Sequence, residues 1–167
     1  MSAEFDYLSA FEAKRLVVSK QISPVELTKR ALAKAEATQK SLHCFYFLMP
    51  DAALEAARKA EDAVMRGQPL GLLHGLPFSA KDLMAVAGEL YSSGSKTMAN
   101  NVAPVDAPAV ERAKAAGGIL IGKTTTSEFG CKPVGDSPLT GITRHPWNLD
   151  KTPADRAPGR PVPWLPE

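Results

Sequence analysis

A chain of 167 residues is long enough for one domain with a real core, since domains of this size bury roughly two thirds of the surface their unfolded chains expose. Its 44% hydrophobic and 23% charged residues are those of a soluble globular protein, with 20 basic residues nearly balancing 18 acidic ones. A formal charge of +2 gives no electrostatic reason to expect nucleic acid or an anionic membrane as partner.

The start, Met1 to Asp6, is acidic and lacks the basic segment and apolar stretch of a secretory signal, so a cytoplasmic location is expected. The longest apolar run, Cys44 to Met49, is stopped by Pro50, far short of the ~20 residues a membrane helix needs. Two cysteines, Cys44 and Cys131, stand without a Cys-x-x-Cys or a nearby His at ligand spacing. They read as ordinary thiols in a reducing compartment, and no metal or other cofactor is expected.

Ser9-Ala-Phe-Glu12 and Ser23-Pro-Val-Glu26 are capping-box patterns and predict two helix starts. Pro24 takes the favoured first helical position of the second helix, where Leu27, Ala31 and Ala35 recur at helical spacing. An extended segment over residues 43–48 follows. Pro50-Asp51 then opens a third helix with Ala53, Ala57, Ala60 and Val64 on one face, ended by Gly67 and Pro69.

Residues 76–83 read as a strand, although Lys81-Asp82 places charge where a buried strand wants none. Asp106 and Pro108 begin a helix that stops at Gly117-Gly118 and gives way to the apolar strand Ile119-Leu-Ile121. Strands separated by helices argue for an α/β fold with a mostly parallel sheet covered on both faces. From Pro153 the composition breaks: five of the last fifteen residues are proline, and residues 154–167 read as an extended or disordered tail.

Three stretches are candidates for chemistry. Gly117 to Thr124 matches the G-x-x-x-x-G-K-T spacing of a phosphate-binding loop, but a true loop of that kind follows a strand and opens a helix. Here a helix precedes the motif and Ile119 to Ile121 are needed as a strand, so nucleotide binding is rejected. Lys81 reads in two ways: as a lysine whose alkyl stem packs on apolar surface while its ammonium reaches water, or as a catalytic base. Lysines enclosed in a low-dielectric site lose their proton more readily and can take one from a hydroxyl. The hydroxyl-rich stretch Lys123 to Phe129 reads either as the turn and cap of a short helix or as a binding loop at a strand's carboxyl end. His74 and His145 have no partner evident from spacing and read as structural.

In order and spacing, Leu73-His-Gly-Leu-Pro77 with Lys81-Asp82, Ser92-Ser-Gly-Ser95, Gly118 to Thr124, Ser127-Glu-Phe129, Gly135-Asp136 and Thr143 to Trp147 resemble the opening half of the amidase signature family. The resemblance covers residues 5 to 153. It implies a large mixed sheet with helices on both faces, of which residues 1–153 are the N-terminal part. It implies an enzyme that hydrolyses small-molecule carboxylic amides through a serine–serine–lysine triad, with Lys81 as the triad lysine. In that family a bridging serine, joined by a cis peptide within Gly-Gly-Ser-Ser, relays a proton from a nucleophilic serine. Alternatives within the resemblance are the glutamine-hydrolysing subunit of a tRNA-dependent amidotransferase, or an inactive fragment.

After Pro153 the family continues with Gly-Gly-Ser-Ser, whereas this chain has Ala154-Asp-Arg-Ala157. Restoring one nucleotide after the Pro153 codon allows residues 154–167 to be reread as Gly-Gly-Ser-Ser-Pro-Gly-Ala-Ala-Gly-Ala-Val-Ala-Ala-Gly. A shifted reading frame is therefore expected. As written, the chain holds the lysine without either serine and is expected to be inactive and aggregation-prone.

Overall fold

The computed structural model describes residues 8–153, so the acidic start and the proline-rich tail at 154–167 lie outside the described residues. Both serine-led helix starts form. At α1 (Ala10–Val18) the Ser9 hydroxyl accepts the Glu12 N–H at 3.2 Å while the Glu12 carboxylate takes the Ser9 N–H at 3.0 Å. At α2 (Pro24–Leu42) Ser23 accepts from the N–H groups of Val25 and Glu26, and the helix ends on left-handed His43. After the short strand β1 (Phe45–Leu48), helix α3 (Pro50–Met65) buries Ala53, Ala57, Ala60 and Val64, the four positions read from the spacing.

Strand β2 (Pro77–Lys81) is shorter than expected, because the chain turns away directly after Asp82 gives its N–H to Thr124 O at 3.0 Å. Helix α4 (Pro108–Ala115) is capped by the backbone of Ala107 and not by Asp106. That carboxylate is drawn off by the Ala87 N–H and the Lys114 ammonium, each at 2.8 Å. Strand β3 (Ile119–Thr124) and a small hairpin, β4 (Asp136–Ser137) and β5 (Gly141–Ile142), complete the described strands, and single 3-10 turns lie at Lys96–Met98 and Glu128–Gly130.

β3 is the central strand. β1 pairs with it antiparallel and β2 pairs with it parallel, giving a mixed sheet in the order β1-β3-β2. On one face Ile119 and Ile121 meet Leu32 of α2 and the α3 alanines; on the other Leu120 meets Ala80, Val86 and Val110 of α4. The fold is thus α/β with helices on both faces of the sheet. Small residues on α3 let that helix approach closely, and burying a side chain such as Ile119 stabilises by about 1.5–3 kcal/mol. Gly122 is needed for the same closeness: a Cβ there would stand 2.5 Å from Phe47 O of β1.

The β2–β3 ladder is interrupted by a bulge. Phe78 faces Leu120 and Ser79 faces Gly122, so Ile121 is an extra residue on β3. One extra residue reverses the alternation of side chains beyond it, which turns Lys123 to the face that Leu120 occupies.

Candidate active site

β2 and β3 run parallel and stop together, with Lys81 opposite Thr124. Carboxyl ends of parallel strands are where open α/β sheets bind ligands. Lys81 is half-buried as the last residue of β2. Strand alternation turns it away from the face on which Ala80 is fully buried.

The next residue, Asp82, is 1% exposed and returns to the Ala80 face. There it meets Lys123, which is 0% exposed, with Nζ 2.9 Å from Asp82 Oδ1. Lys123 also donates to Met84 O at 2.9 Å and Leu90 O at 3.1 Å. An ammonium has three protons to give, and all three have acceptors. The Tyr91 ring adds its negative face, with its centroid 5.3 Å from Nζ. Burying an unpaired charge costs far more than any single contact returns, so each ion is tolerable only because the other is present.

The carboxylate then organises the serine loop. Asp82 Oδ2 accepts from the Ser92 hydroxyl, and the N–H groups of Ser92 and Gly94 approach the carboxylate at 3.4 Å. These bonds hold Ser93 at φ 52° and Gly94 at φ 69°, consecutive left-handed residues that cost a non-glycine residue on the order of 1 kcal/mol. A second left-handed pair, Phe129 and Gly130, docks on the first: Phe129 N–H donates to Ser93 O at 2.8 Å, and Ser95 Oγ donates to Glu128 Oε1 at 2.8 Å.

The hydroxyls after β3 serve as local structure. Thr125 Oγ1 and Thr143 Oγ1 are hydrogen-bonded at 2.7 Å, Thr126 Oγ1 donates to Ser127 O, and Ser127 Oγ donates to Lys132 O. Ser127 precedes a single 3-10 turn over Glu128–Gly130 but gives it no side-chain cap. The G-x-x-x-x-G-K-T stretch is the end of a helix and a strand, with its lysine buried in the ion pair. His74 is buried with Nε2 2.9 Å from Ala60 O, and His145 tilts against Trp147. Cys44 and Cys131 are free thiols, and burial pushes the Cys44 thiol up. Among the described residues no cluster of three or more His, Cys, Asp or Glu could hold a metal ion, and no helix is long and apolar enough to cross a membrane.

This architecture defines the class as an α/β domain with helices on both faces of a mixed sheet. Residues 26–154 match the family model described as Amidase, and the chain belongs to that family. It is 34% identical over 156 residues to a glutamyl-tRNA(Gln) amidotransferase subunit from Chloroflexus aurantiacus, a match covering 93% of this chain and 32% of that relative. Among solved structures, a bacterial aryl acylamidase of the amidase signature family superposes with a TM-score of 0.83 at 29% identity, covering 89% of this chain and 32% of the other. The peptide amidase of Stenotrophomonas maltophilia superposes at 0.78 with 27% identity, covering 86% and 31% respectively. The chain therefore spans about a third of the length of the curated relatives it matches.

Sequence reasoning singled out Lys81-Asp82 as a misplaced charge pair but did not find the partner of Asp82. The signal was present: Lys123 is the lone charge at the end of an apolar strand, and Asp82 is a lone anion at the end of another. Pairing them requires knowing that β2 and β3 are neighbours in parallel and that a bulge re-aims Lys123.

Proposed function

We propose that the whole protein is an amide hydrolase in which Lys81 is the catalytic base. The observation that supports this is a half-buried lysine at the carboxyl end of a parallel strand, its neighbour Asp82 tied down by a buried ion pair. A hydroxyl is a weak nucleophile until a base removes its proton. In this reading Lys81 takes a proton relayed through a bridging serine, and the nucleophilic oxygen bonds the acyl carbon. The C–N bond then breaks with the proton delivered to the departing nitrogen, and water releases the acid. Donors facing the developing oxyanion supply the remaining stabilisation. Residues 1–167 supply the lysine and neither serine, so that polypeptide alone is expected to turn over no amide.

The test begins with the gene across codons 150 to 156, where the reading expects one further nucleotide and a continuation as Gly-Gly-Ser-Ser. The polypeptide so extended should hydrolyse simple amides, and Lys81→Met should lower kcat/KM by about 10²- to 10⁴-fold, the usual worth of a positioned base. Turnover by pure residues 1–167, or full activity in Lys81→Met, would overturn it.

A second reading rests on the curated relative from Chloroflexus aurantiacus, which belongs to a glutamyl-tRNA(Gln) amidotransferase. The same site would then act on glutamine and pass ammonia to a partner. Purification of the extended protein from its own cell separates the readings: stoichiometric companion proteins favour the amidotransferase, an isolated chain the small-molecule amidase.

A further inference from the structure

Lys123 plays no part in the proposed triad, yet it is the largest fully buried side chain among the described residues. We propose that Lys123 is a positioning residue for Lys81, acting from the opposite face of the sheet through Asp82. The inference rests on the reading of Lys81 as the base. It starts from the bulge at Ile121, which sends Lys123 to the Ala80 face, whereas alternation along β2 sends Lys81 to the other. Lys123 therefore cannot share a substrate with Lys81. What it does reach is the backbone that follows Lys81.

From Asp82 to Gly94 the chain forms no helix or extended strand, and the polar groups of such a segment need partners. Lys123 supplies them from one atom: it binds the Asp82 carboxylate, the Met84 carbonyl and the Leu90 carbonyl. Asp82 in turn carries Ser92 and Gly94. A single ammonium thus ties β3 to both ends of the segment, and the first residue it fixes, Asp82, is covalently next to Lys81. Its charge is matched by Asp82, so the pair is neutral as a unit and its influence on Lys81 is one of position rather than net field. A general base works only when held within hydrogen-bond reach of its proton, which is the requirement this anchor meets.

The experiment uses the folded, monomeric fraction of residues 1–167, separated from aggregate by gel filtration, and reads the reactivity of Lys81, not turnover. The amidase reading can therefore fail by the Lys81→Met assay while this one stands, and the reverse. The protein, Lys123→Met, and the double variant Lys123→Met/Asp82→Asn are exposed to limiting acetic anhydride from pH 6 to 10, and acetylation of each lysine is followed by mass spectrometry, alongside urea unfolding. The double variant removes both charges together and is expected to recover part of the stability the single variant loses, the Met84 and Leu90 carbonyls lacking their donor in both, while Lys81 reacts about fivefold faster than in the parent because its anchor is gone. Lys123 itself should resist acetylation in the parent. A folded double variant whose Lys81 profile matches the parent would reduce Lys123 to a structural ion and overturn the proposal. So would a double variant that cannot fold, since positioning would then be inseparable from folding.

Discussion

On one face of the sheet, α2 and α3 lay Leu32 and three alanines against Ile119 and Ile121 in a wholly apolar cluster. On the other, Leu120 and Ala80 share the space with a buried ammonium and a buried carboxylate. The first face is held by area and fit, which tolerate small errors by degrees. The second is held by two ions that are each tolerable only in the other's presence, so its failure is abrupt. It is also the second face that lies behind Lys81, and, on the proposed reading of Lys81 as the base, such a site gains from an anchor with few alternative arrangements.

The sharpest way to break this contrast is to remove one ion. Lys123→Met strands the Asp82 carboxylate in a site with 1% exposure, and urea unfolding should show a loss of about 3–5 kcal/mol. Asp82→Asn strands the ammonium and should cost a similar amount. A loss of about 1 kcal/mol or less, the worth of an exposed pair, would mean that water reaches the pair, and the two faces would then not differ in kind.

Next in size is overpacking on the apolar face. Ala57 is 0% exposed at the α3–sheet contact, so Ala57→Leu must push the helix outward, at about 1–3 kcal/mol with the fold retained. A change that proves neutral would show slack between α3 and β3, and this face would then not be close-fitted.

The two faces also differ in how readable they were from sequence. Ala53, Ala57, Ala60 and Val64 announce their face by a period of three to four, and Ser9 and Ser23 announce their helices by capping chemistry that is complete within a few residues. Nothing local announces that Lys123 belongs to Asp82, 41 positions away, because that pairing depends on the parallel β2–β3 register and on the extra residue at Ile121. The same limit explains Asp106. Its place two residues before Pro108 suggests a cap, but a longer-range contact with Ala87 and Lys114 claims the carboxylate. Lys81 itself was legible, as a charge at a strand end within a recognisable run of motifs, whereas the left-handed corners at Ser93 and Phe129 were not, since neither residue type favours that conformation.

A smaller effect sharpens the apolar side. Thr28 on α2 is 0% exposed and its hydroxyl has no hydrogen-bond partner. Thr28→Val keeps the shape and removes the unsatisfied group, so it should raise stability by about 1 kcal/mol, seen as a higher urea midpoint at unchanged slope. A loss instead would show that the hydroxyl has found a partner such as a carbonyl of its own helix.

The smallest effect contrasts the buried pair with an exposed one. Asp106 meets Lys114 where the two side chains are 19% and 38% exposed. Desolvation alone would raise the Asp106 carboxyl, but the Lys114 ammonium and the Ala87 N–H outweigh it and hold the group below the ordinary value of 3.8. A depressed carboxyl contributes stability that is fully present above its unfolded value and is lost as the pH falls through its folded one. Asp106→Asn keeps an acceptor for Ala87 and removes the charge. The parent should therefore exceed the variant by a few tenths of a kcal/mol at neutral pH, the usual worth of an exposed pair. That gap should stay flat down to about pH 5, begin to shrink as the pH falls past the ordinary value of 3.8, and close only below the lower folded value, where both chains carry a neutral side chain at this position. Glu12 and Glu55, whose carboxyls are also depressed, titrate identically in both proteins and drop out of the difference. A gap that widened in acid would mean the folded state prefers the protonated carboxyl, and the sign of the balance between burial and Lys114 would have to be reversed.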